Sequence, residues 1–211
     1  MFGIINYQSF ILSAVLLNIT PGADTIYILT KSATGGRSRG IVSALGICTG
    51  GLVHTVLAAL GLSAVLSRSA AAFNLMKLLG AAYLVVMGIR TALSKEPLFP
   101  TEADGQKREG LWTVYRQGVL TNVLNPKVAL FFLALLPQFV EVGSHGPVPF
   151  LLLGLTFCTT GTLWSVFVAF IASFLSRALQ SSLLAQRMAS KVTGMIYILL
   201  GLNILRAKAE S

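Results

Sequence analysis

Long apolar stretches alternate with short polar connectors along the whole chain. A helix needs about 20 mainly apolar residues to cross the hydrocarbon core of a bilayer. Six stretches approach or exceed this length, at residues 4–29, 41–66, 71–93, 114–139, 148–175 and 191–206. The pattern therefore predicts an all-α membrane protein with six transmembrane helices.

Three pairs of short motifs occur in the same order in the two halves of the chain. The pairs are Thr20-Pro21 with Asn125-Pro126, Cys48-Thr49-Gly50 with Cys158-Thr159-Thr160, and Lys77-x-x-Gly80-x-x-Tyr83 with Lys191-x-x-Gly194-x-x-Tyr197. Duplication of a unit with three spans inverts the second copy in the membrane. We therefore expect one transporter domain over residues 1–211, with repeat 1 at about 1–93, a linker at 94–112 and repeat 2 at about 113–211. Similar composition of glycine-rich apolar helices is the simpler alternative.

Composition and charge support the membrane assignment. Hydrophobic residues make up 55% of the chain and charged residues only 11%, whereas soluble domains have about 25% charged residues. The net charge of +9 comes from Lys and Arg in the connectors, eleven on one side of the predicted membrane and four on the other. This bias indicates topology rather than nucleic-acid binding, and it predicts cytoplasmic first, third and fifth connectors with both termini outside. The first basic residue is Lys31, which disfavours a cleavable signal peptide.

Two of the predicted helices contain a proline at membrane depth, Pro21 in the first and Pro126 in the fourth. Proline has no N–H to donate and clashes with the preceding turn, so each helix must break there. Thr20 and Asn125 are good N-cap residues, and proline suits the first position of a helix. The sequence therefore predicts a new half-helix at each site, with N–H groups that favour an anion. Inversion predicts that the two starts meet near one point.

Asp24 and Lys127 are charged residues inside these two apolar stretches. A charge near the bilayer centre costs several kcal/mol unless it is paired or hydrated, which makes both residues functional candidates. Asp24 could instead only complement the dipole of its own half-helix, and Lys127 could reach the membrane interface. As a pair, the acid suits an ammonium group, and the lysine with the helix N-termini suits a carboxylate. These features match a zwitterionic amino acid.

Several motifs around these residues carry a family resemblance. They are Pro21-Gly22-Ala23-Asp24-Thr25, Asn125-Pro126-Lys127 with Leu130-Phe131-Phe132, Leu136-Pro137-Gln138-Phe139, and Gly80-Ala81-Ala82-Tyr83-Leu84 with Gly88-Ile89-Arg90. They resemble the signature segments of the lysine exporter / homoserine and threonine resistance transporter family (LysE/RhtB). The family commonly has a second proline where this chain has Ala23. The resemblance implies a bacterial inner-membrane exporter of amino acids or their derivatives, driven by the proton gradient.

Twelve residues are the candidates for substrate binding or proton coupling. They are Asn18, Thr20, Pro21, Gly22, Asp24, His54, Tyr83, Asn122, Asn125, Pro126, Lys127 and Tyr197. Histidine is the side chain most suited to carry protons near neutral pH, so His54 could relay them, although a helix histidine bonded to a neighbour is an equal alternative. Tyr83 and Tyr197 hold equivalent repeat positions, and buried structural hydroxyls or interface anchors would explain them equally well.

The leading functional hypothesis is a proton-coupled amino-acid exporter that works by alternating access. The alternative is an intramembrane thiol–disulfide electron carrier, since Cys48 and Cys158 are repeat-equivalent, but small neutral neighbours give neither thiol a reactive environment. A scaffold without transport activity would not require Asp24 and Lys127.

Neither a metal-ligand cluster nor a Ser-His-Asp set is visible, so we expect no enzyme activity, no metal and no cofactor. The expected partners are an amino acid, protons and the lipid bilayer, without nucleic acid. The sequence is compatible with a homo-oligomer.

Overall fold

The computed structural model describes residues 2–62, 70–93, 109–141 and 146–180, together with scattered residues between 184 and 202. The helices in these ranges are α1 (Tyr7–Ile19), α2 (Ala23–Leu57), α3 (Ala70–Leu93), α4 (Leu111–Val123), α5 (Pro126–Leu130) and α6 (Val148–Gln180). A π-helical turn, Ala58–Leu62, extends α2, and a π-helical turn, Phe131–Leu135, followed by a 3-10 turn, Leu136–Phe139, extends α5. The described residues contain no β-strand, which confirms the all-α class for this part of the chain.

Two helical stretches are each long and apolar enough to cross a bilayer, Gly35–Leu62 and Val148–Ala172. Two bent pairs meet the same criteria when each pair is taken together. Tyr7–Ile19 and Ala23–Ala33 meet at 47°, and Leu111–Val123 and Pro126–Phe139 meet at 44°. The described residues thus hold two to four candidate membrane spans. The six-helix inverted repeat and its division at residues 94–112 stay predictions, and half of the sixth predicted helix lies outside the described residues.

Both predicted proline breaks separate two helices, but their caps differ. Asn125 is the N-cap of α5, its side-chain Oδ1 accepts a hydrogen bond from the Lys127 N–H at 3.0 Å, and Pro126 is the first helical residue, as predicted. The predicted cap at Thr20 is wrong. Thr20 ends α1, since its hydroxyl donates to Leu16 O at 2.6 Å and so serves the preceding turn. Gly22 is the N-cap of α2, which leaves Pro21 outside the helix.

The predicted connector between the first two apolar stretches is helical, because α2 runs through it with a single kink. The kink is at Gly36, whose φ of 76° and ψ of −178° lie in a region that only glycine adopts without strain. The first part of α2 therefore forms the second arm of the broken pair, and the part after the kink forms the long apolar span.

Close helix packing positions the region around the breaks. Gly46 of α2 faces Gly118 of α4, and a Cβ on Gly118 would lie 2.9 Å from the carbonyl oxygen of Ser43. Small residues allow such an approach of two backbones in a membrane protein. In the π-helical turn that follows α5, Phe131 stacks on Phe157 of α6 with ring centroids 4.3 Å apart. The first contact joins α4 to α2, and the second joins the end of α5 to α6.

Candidate functional site

Lys127 joins the two helix breaks. Its Nζ donates to the carbonyl oxygens of Leu17 at 3.2 Å and Thr20 at 3.0 Å, both at the C-terminal end of α1. Those terminal carbonyls lack partners inside the helix and carry its negative dipole end, so a buried ammonium group is well placed to satisfy them. The side chain of Lys127 is almost fully buried, with the residue 4% exposed. The structure therefore brings together the end of α1 and the start of α5.

The start of α2 lies at the same point. A Cβ on Gly22 would be 3.1 Å from the Nζ of Lys127 and 3.4 Å from its Cε. When Thr20-Pro21 is aligned with Asn125-Pro126, Gly22 corresponds to Lys127 in the other half of the chain. The two equivalent positions are thus in contact, and the missing side chain of one leaves room for the ammonium group of the other.

Asp24 and Asn122 form the second polar contact of this region. The side-chain Nδ2 of Asn122 donates to Oδ2 of Asp24 at 3.0 Å. The remaining oxygens of the two side chains, Asp24 Oδ1 and Asn122 Oδ1, are buried and have no hydrogen-bond partner among the described residues. Asp24 makes no ion pair in that part of the chain, where Lys31–Glu109 is the single ion pair. Two buried acceptors therefore remain free to bind a donor.

Asn18 ties the end of α1 to α6. Its Nδ2 donates to the hydroxyl of Thr160 at 3.0 Å and to the carbonyl of Phe157 at 3.4 Å. The side-chain oxygen of Asn125 caps α5, whereas its Nδ2 atom has no hydrogen-bond partner in the described ranges. Nine of the twelve predicted residues thus lie at or beside the meeting point of the breaks: Asn18, Thr20, Pro21, Gly22, Asp24, Asn122, Asn125, Pro126 and Lys127.

A small cavity lies between α1, α2, α4, α5 and α6 at this point. Its volume is about 40 Å³, and one water molecule needs about 10–15 Å³. Water molecules fit this volume, whereas an amino acid requires the cavity to widen. The polar side chains on its wall are those of Asn18, Asp24, Thr25, Asn122, Lys127, Thr162 and Ser165.

Three polar residues of this wall, Thr25, Thr162 and Ser165, were not among the predicted site residues, and neither was Trp164. The Oγ1 atom of Thr162 and the Nε1 atom of Trp164 are buried without a hydrogen-bond partner in the described parts of the chain. The available signal was the spacing of Cys158, Thr162 and Ser165, which places three small polar side chains on one face of a helix. That spacing is also typical of ordinary helix packing.

His54 lies next to the cavity. Its residue is 8% exposed, its Nε2 donates to the carbonyl of Asn122 at 3.2 Å, and its ring stacks on Phe132 with centroids 5.6 Å apart. It borders a second, otherwise apolar cavity of about 380 Å³ that includes Leu57 and Leu133. Asn122 therefore bonds to His54 through its backbone and to Asp24 through its side chain.

The remaining predicted residues are placed less fully. Tyr83 belongs to α3, but its side chain lies outside the described part of the structure, as does the whole of Tyr197. Cys48 and Cys158 are free thiols, and both border the small cavity. Within the described ranges no group of three or more His, Cys, Asp or Glu side chains is placed to hold a metal ion.

Comparison with known proteins gives this geometry a family context. The LysE type translocator family matches residues 15–208. An uncharacterized membrane protein of Vibrio cholerae is 32% identical over 204 residues, which cover 96% of this chain and 98% of the relative. No solved structure matches the chain.

Two relatives have names that describe transport. The leucine efflux protein of Klebsiella pneumoniae is 25% identical over 201 residues, which cover 93% of each chain. The homoserine/homoserine lactone efflux protein of Salmonella typhimurium is 32% identical over 153 residues, or 70% of this chain and 71% of the relative. The family that the proline motifs indicated is thereby confirmed, and the chain belongs to the LysE type translocator family.

Proposed function

We propose that the protein exports a small amino acid, or an amino-acid derivative with a free amine, across the bacterial inner membrane. The observation that carries the proposal is the small cavity at the meeting point of two helix breaks, with one carboxylate and one lysine on its wall. The family and the two efflux proteins similar to this chain support the same class of function.

The amine of the substrate binds to Asp24 and Asn122. An ammonium group carries three donors and no acceptor, so it requires oxygen atoms around it. Asp24 Oδ1 and Asn122 Oδ1 are buried acceptors that lack a partner in the described ranges. A charge-assisted hydrogen bond from an ammonium group is stronger than a neutral one. A substrate amine can therefore donate hydrogen bonds to both oxygens.

Transport is coupled to protons through competition at Asp24. An ammonium group and a proton cannot both neutralise the same carboxylate, so a proton that arrives from the outside displaces the substrate there. The protonated site then turns inward and releases its proton to the more alkaline cytoplasm. This exchange moves substrate outward and protons inward, as alternating access requires.

Lys127 supplies positive potential on the carboxylate side of the substrate. Two of its three N–H donors bond to Leu17 and Thr20, which leaves at most one for a ligand. Its second role is mechanical, because the same ammonium group holds the end of α1 against the start of α5. A movement of the two repeats that opens the cavity must change these contacts.

His54 is the second proton site in this proposal. Two hydrogen bonds link His54 to Asp24 through Asn122. The backbone carbonyl of Asn122 accepts from His54, and its side-chain amide donates to Asp24. Protonation of the imidazole adds a charge to the far side of Asn122. A role in coupling is therefore indirect, and Asp24 stays the residue that exchanges a proton for substrate.

Transport in proteoliposomes tests the proposed function. Vesicles loaded with labelled amino acids, including leucine and homoserine, are diluted into buffers with and without an inward proton gradient. We expect release of at least one compound to accelerate with the gradient. Absence of gradient-dependent release for the whole panel, with correctly inserted protein, contradicts the proposal.

The thiol–disulfide carrier remains the second candidate because Cys48 and Cys158 border the same cavity. Both thiols are free, and the buried sulfur of Cys158 lies 3.6 Å from the Thr55 hydroxyl rather than beside a cationic group that would make it reactive. Substitution of both cysteines distinguishes transport from electron transfer.

A further inference from the structure

We infer that Thr162 and Trp164 of α6 bind the carboxyl end of the substrate through hydrogen bonds from the Thr162 hydroxyl and the Trp164 indole N–H. The inference rests on the proposed function and adds the second half of the binding site. It also identifies the group bound by these two residues as a carboxylate on the carbon that carries the amine.

Thr162 and Trp164 border the small cavity together with Asp24 and Asn122. The Oγ1 and Nε1 atoms are buried, and neither has a hydrogen-bond partner among the residues that the structure describes. Burial of a polar group without a partner is costly, so native proteins rarely retain one without a reason. A ligand that supplies the missing partner is such a reason.

The unpartnered atoms on the cavity wall differ in the kind of hydrogen-bond partner that they require. An indole N–H only donates, so Trp164 requires an acceptor. On the part of the cavity wall formed by α2 and α4, Asp24 Oδ1 and Asn122 Oδ1 only accept, so they require a donor. A molecule with an ammonium group at one end and a carboxylate at the other satisfies both walls. An amine without a carboxylate satisfies only the wall of Asp24.

Lys127, the charged donor on the cavity wall, is largely engaged by other groups. The Nζ of Lys127 donates to Leu17 O and Thr20 O, and the backbone N–H of Lys127 donates to Asn125 Oδ1. A carboxylate that bound Lys127 fully would have to displace the end of α1. The neutral donors of α6 require no such exchange, and Lys127 then contributes through its charge at longer range.

The experiment measures equilibrium binding to protein in lipid nanodiscs for two matched ligand pairs. L-leucine is compared with isoamylamine, and L-homoserine with 3-amino-1-propanol, which are the same molecules without the carboxylate. Thr162→Val removes the hydroxyl at nearly constant shape, and Trp164→Phe removes the N–H while an aromatic ring is kept. Thr159→Val and Trp112→Phe are the controls, because both residues are exposed.

We expect Thr162→Val and Trp164→Phe each to weaken binding of the amino acid by about tenfold and to leave binding of the amine unchanged. The inference is overturned if an α6 variant weakens binding of the amino acid and of the amine equally, or weakens neither. It is also overturned if Lys127→Met shows the selective loss of amino-acid binding and the α6 variants do not. Thr162→Ser keeps a hydroxyl and should restore binding, which separates the hydrogen bond from effects on folding.

Failure of the proposed function gives a different result. Asp24→Asn should weaken binding of the amino acid and the amine alike, because it acts on the end that they share. Wild-type protein that binds no amino acid overturns both the proposed function and this inference. Wild-type protein that binds amino acids while the α6 variants show no selective loss overturns this inference alone.

Discussion

At the scale of single residues, Lys127 illustrates how a charge is accommodated inside an apolar segment. Its ammonium group donates to the terminal carbonyls of α1, which have no partners within their own helix. The lysine thereby offsets the cost of its own burial and the cost of a helix end in an apolar environment. This double role depends on the space that Gly22 leaves free.

Gly22→Ala tests that space. The added methyl group would lie 3.1 Å from Nζ and 3.4 Å from Cε of Lys127, so the lysine must shift slightly and its bonds to the carbonyls are strained. We expect a loss of stability of about 1–3 kcal/mol, measured by thermal unfolding in detergent. Gly61→Ala is the control, since a Cβ there meets no atom within 4 Å. Equal stability of the two variants would show that the contact contributes little.

Asp24→Asn tests the coupling site. The substitution preserves the size of the side chain but removes the charge for which ammonium and proton compete. Proton-driven export should be abolished while the protein still inserts, and efflux measured across a range of pH should lose its dependence on the gradient. Glu141→Gln changes an exposed acid in the same way and should have no effect. Wild-type rates and an unchanged pH profile in Asp24→Asn would leave Asp24 as a residue that only complements a helix dipole.

Replacement of both cysteines separates transport from electron transfer. Cys48→Ser with Cys158→Ser puts small neutral residues at both sites, so the packing around the cavity is preserved. We expect export to stay above about half of the wild-type rate, because these thiols act as small packing residues. Loss of activity in a well-folded double variant would favour the thiol–disulfide carrier.

At the scale of helices, the sequence located both breaks but only one of the caps. Proline ends a helix whatever its surroundings, which is why Pro21 and Pro126 marked the correct positions. The cap at Asn125 is a local interaction within three residues and could be predicted. The hydroxyl of Thr20 could bond either to the helix that follows or to the turn that precedes it, and it donates to Leu16 O in the preceding turn. Only the structure reveals that Lys127 completes this end of α1.

A polar tie also connects α2 to the start of α4. Glu109 accepts hydrogen bonds from Lys31 and Gln117, and its carbonyl accepts from Arg39 at 2.9 Å. The hydrogen bond from Lys31 lowers the pKa of the Glu109 carboxyl below its ordinary value. The ionised carboxyl is therefore stabilised in the folded protein, and the tie weakens when it is protonated.

This pKa shift predicts how stability depends on pH. Because the folded pKa is lowered, the contribution of Glu109 is fully present above its ordinary pKa of about 4.3. It is lost as the pH falls further, through the lowered folded value. Glu109 is partly exposed, so the effect should be no more than about 1 kcal/mol. The thermal stability of wild type minus that of Glu109→Gln should be constant at neutral pH and shrink below about pH 4; a difference that persists in acid contradicts it.

At the scale of the whole molecule, the composition and length of the apolar stretches were sufficient to predict an all-helical membrane protein. Asp24 and Lys127 were visible as candidates because charge is rare in such stretches. Thr162 and Trp164 were not, since hydroxyl and indole groups are common in membrane helices. They become candidates because of the face of α6 that meets α2, and because their polar atoms have no hydrogen-bond partner in the described part of the chain. Sequence periodicity does not contain that information.

The orientation of the chain in the membrane is the remaining prediction at this scale. Residues 94–112 carry Lys95, Lys107 and Arg108, whereas residues 141–147 carry no Lys or Arg. Basic connectors are retained in the cytoplasm, so a reporter fused within 94–112 should be cytoplasmic and one fused within 141–147 external. Adding two or three Lys residues to 141–147 should impair insertion, because it opposes this asymmetry, and equal numbers of Gln residues should not. A cytoplasmic signal from the unmodified 141–147 connector would contradict the predicted orientation and, with it, the direction in which Asp24 receives its proton.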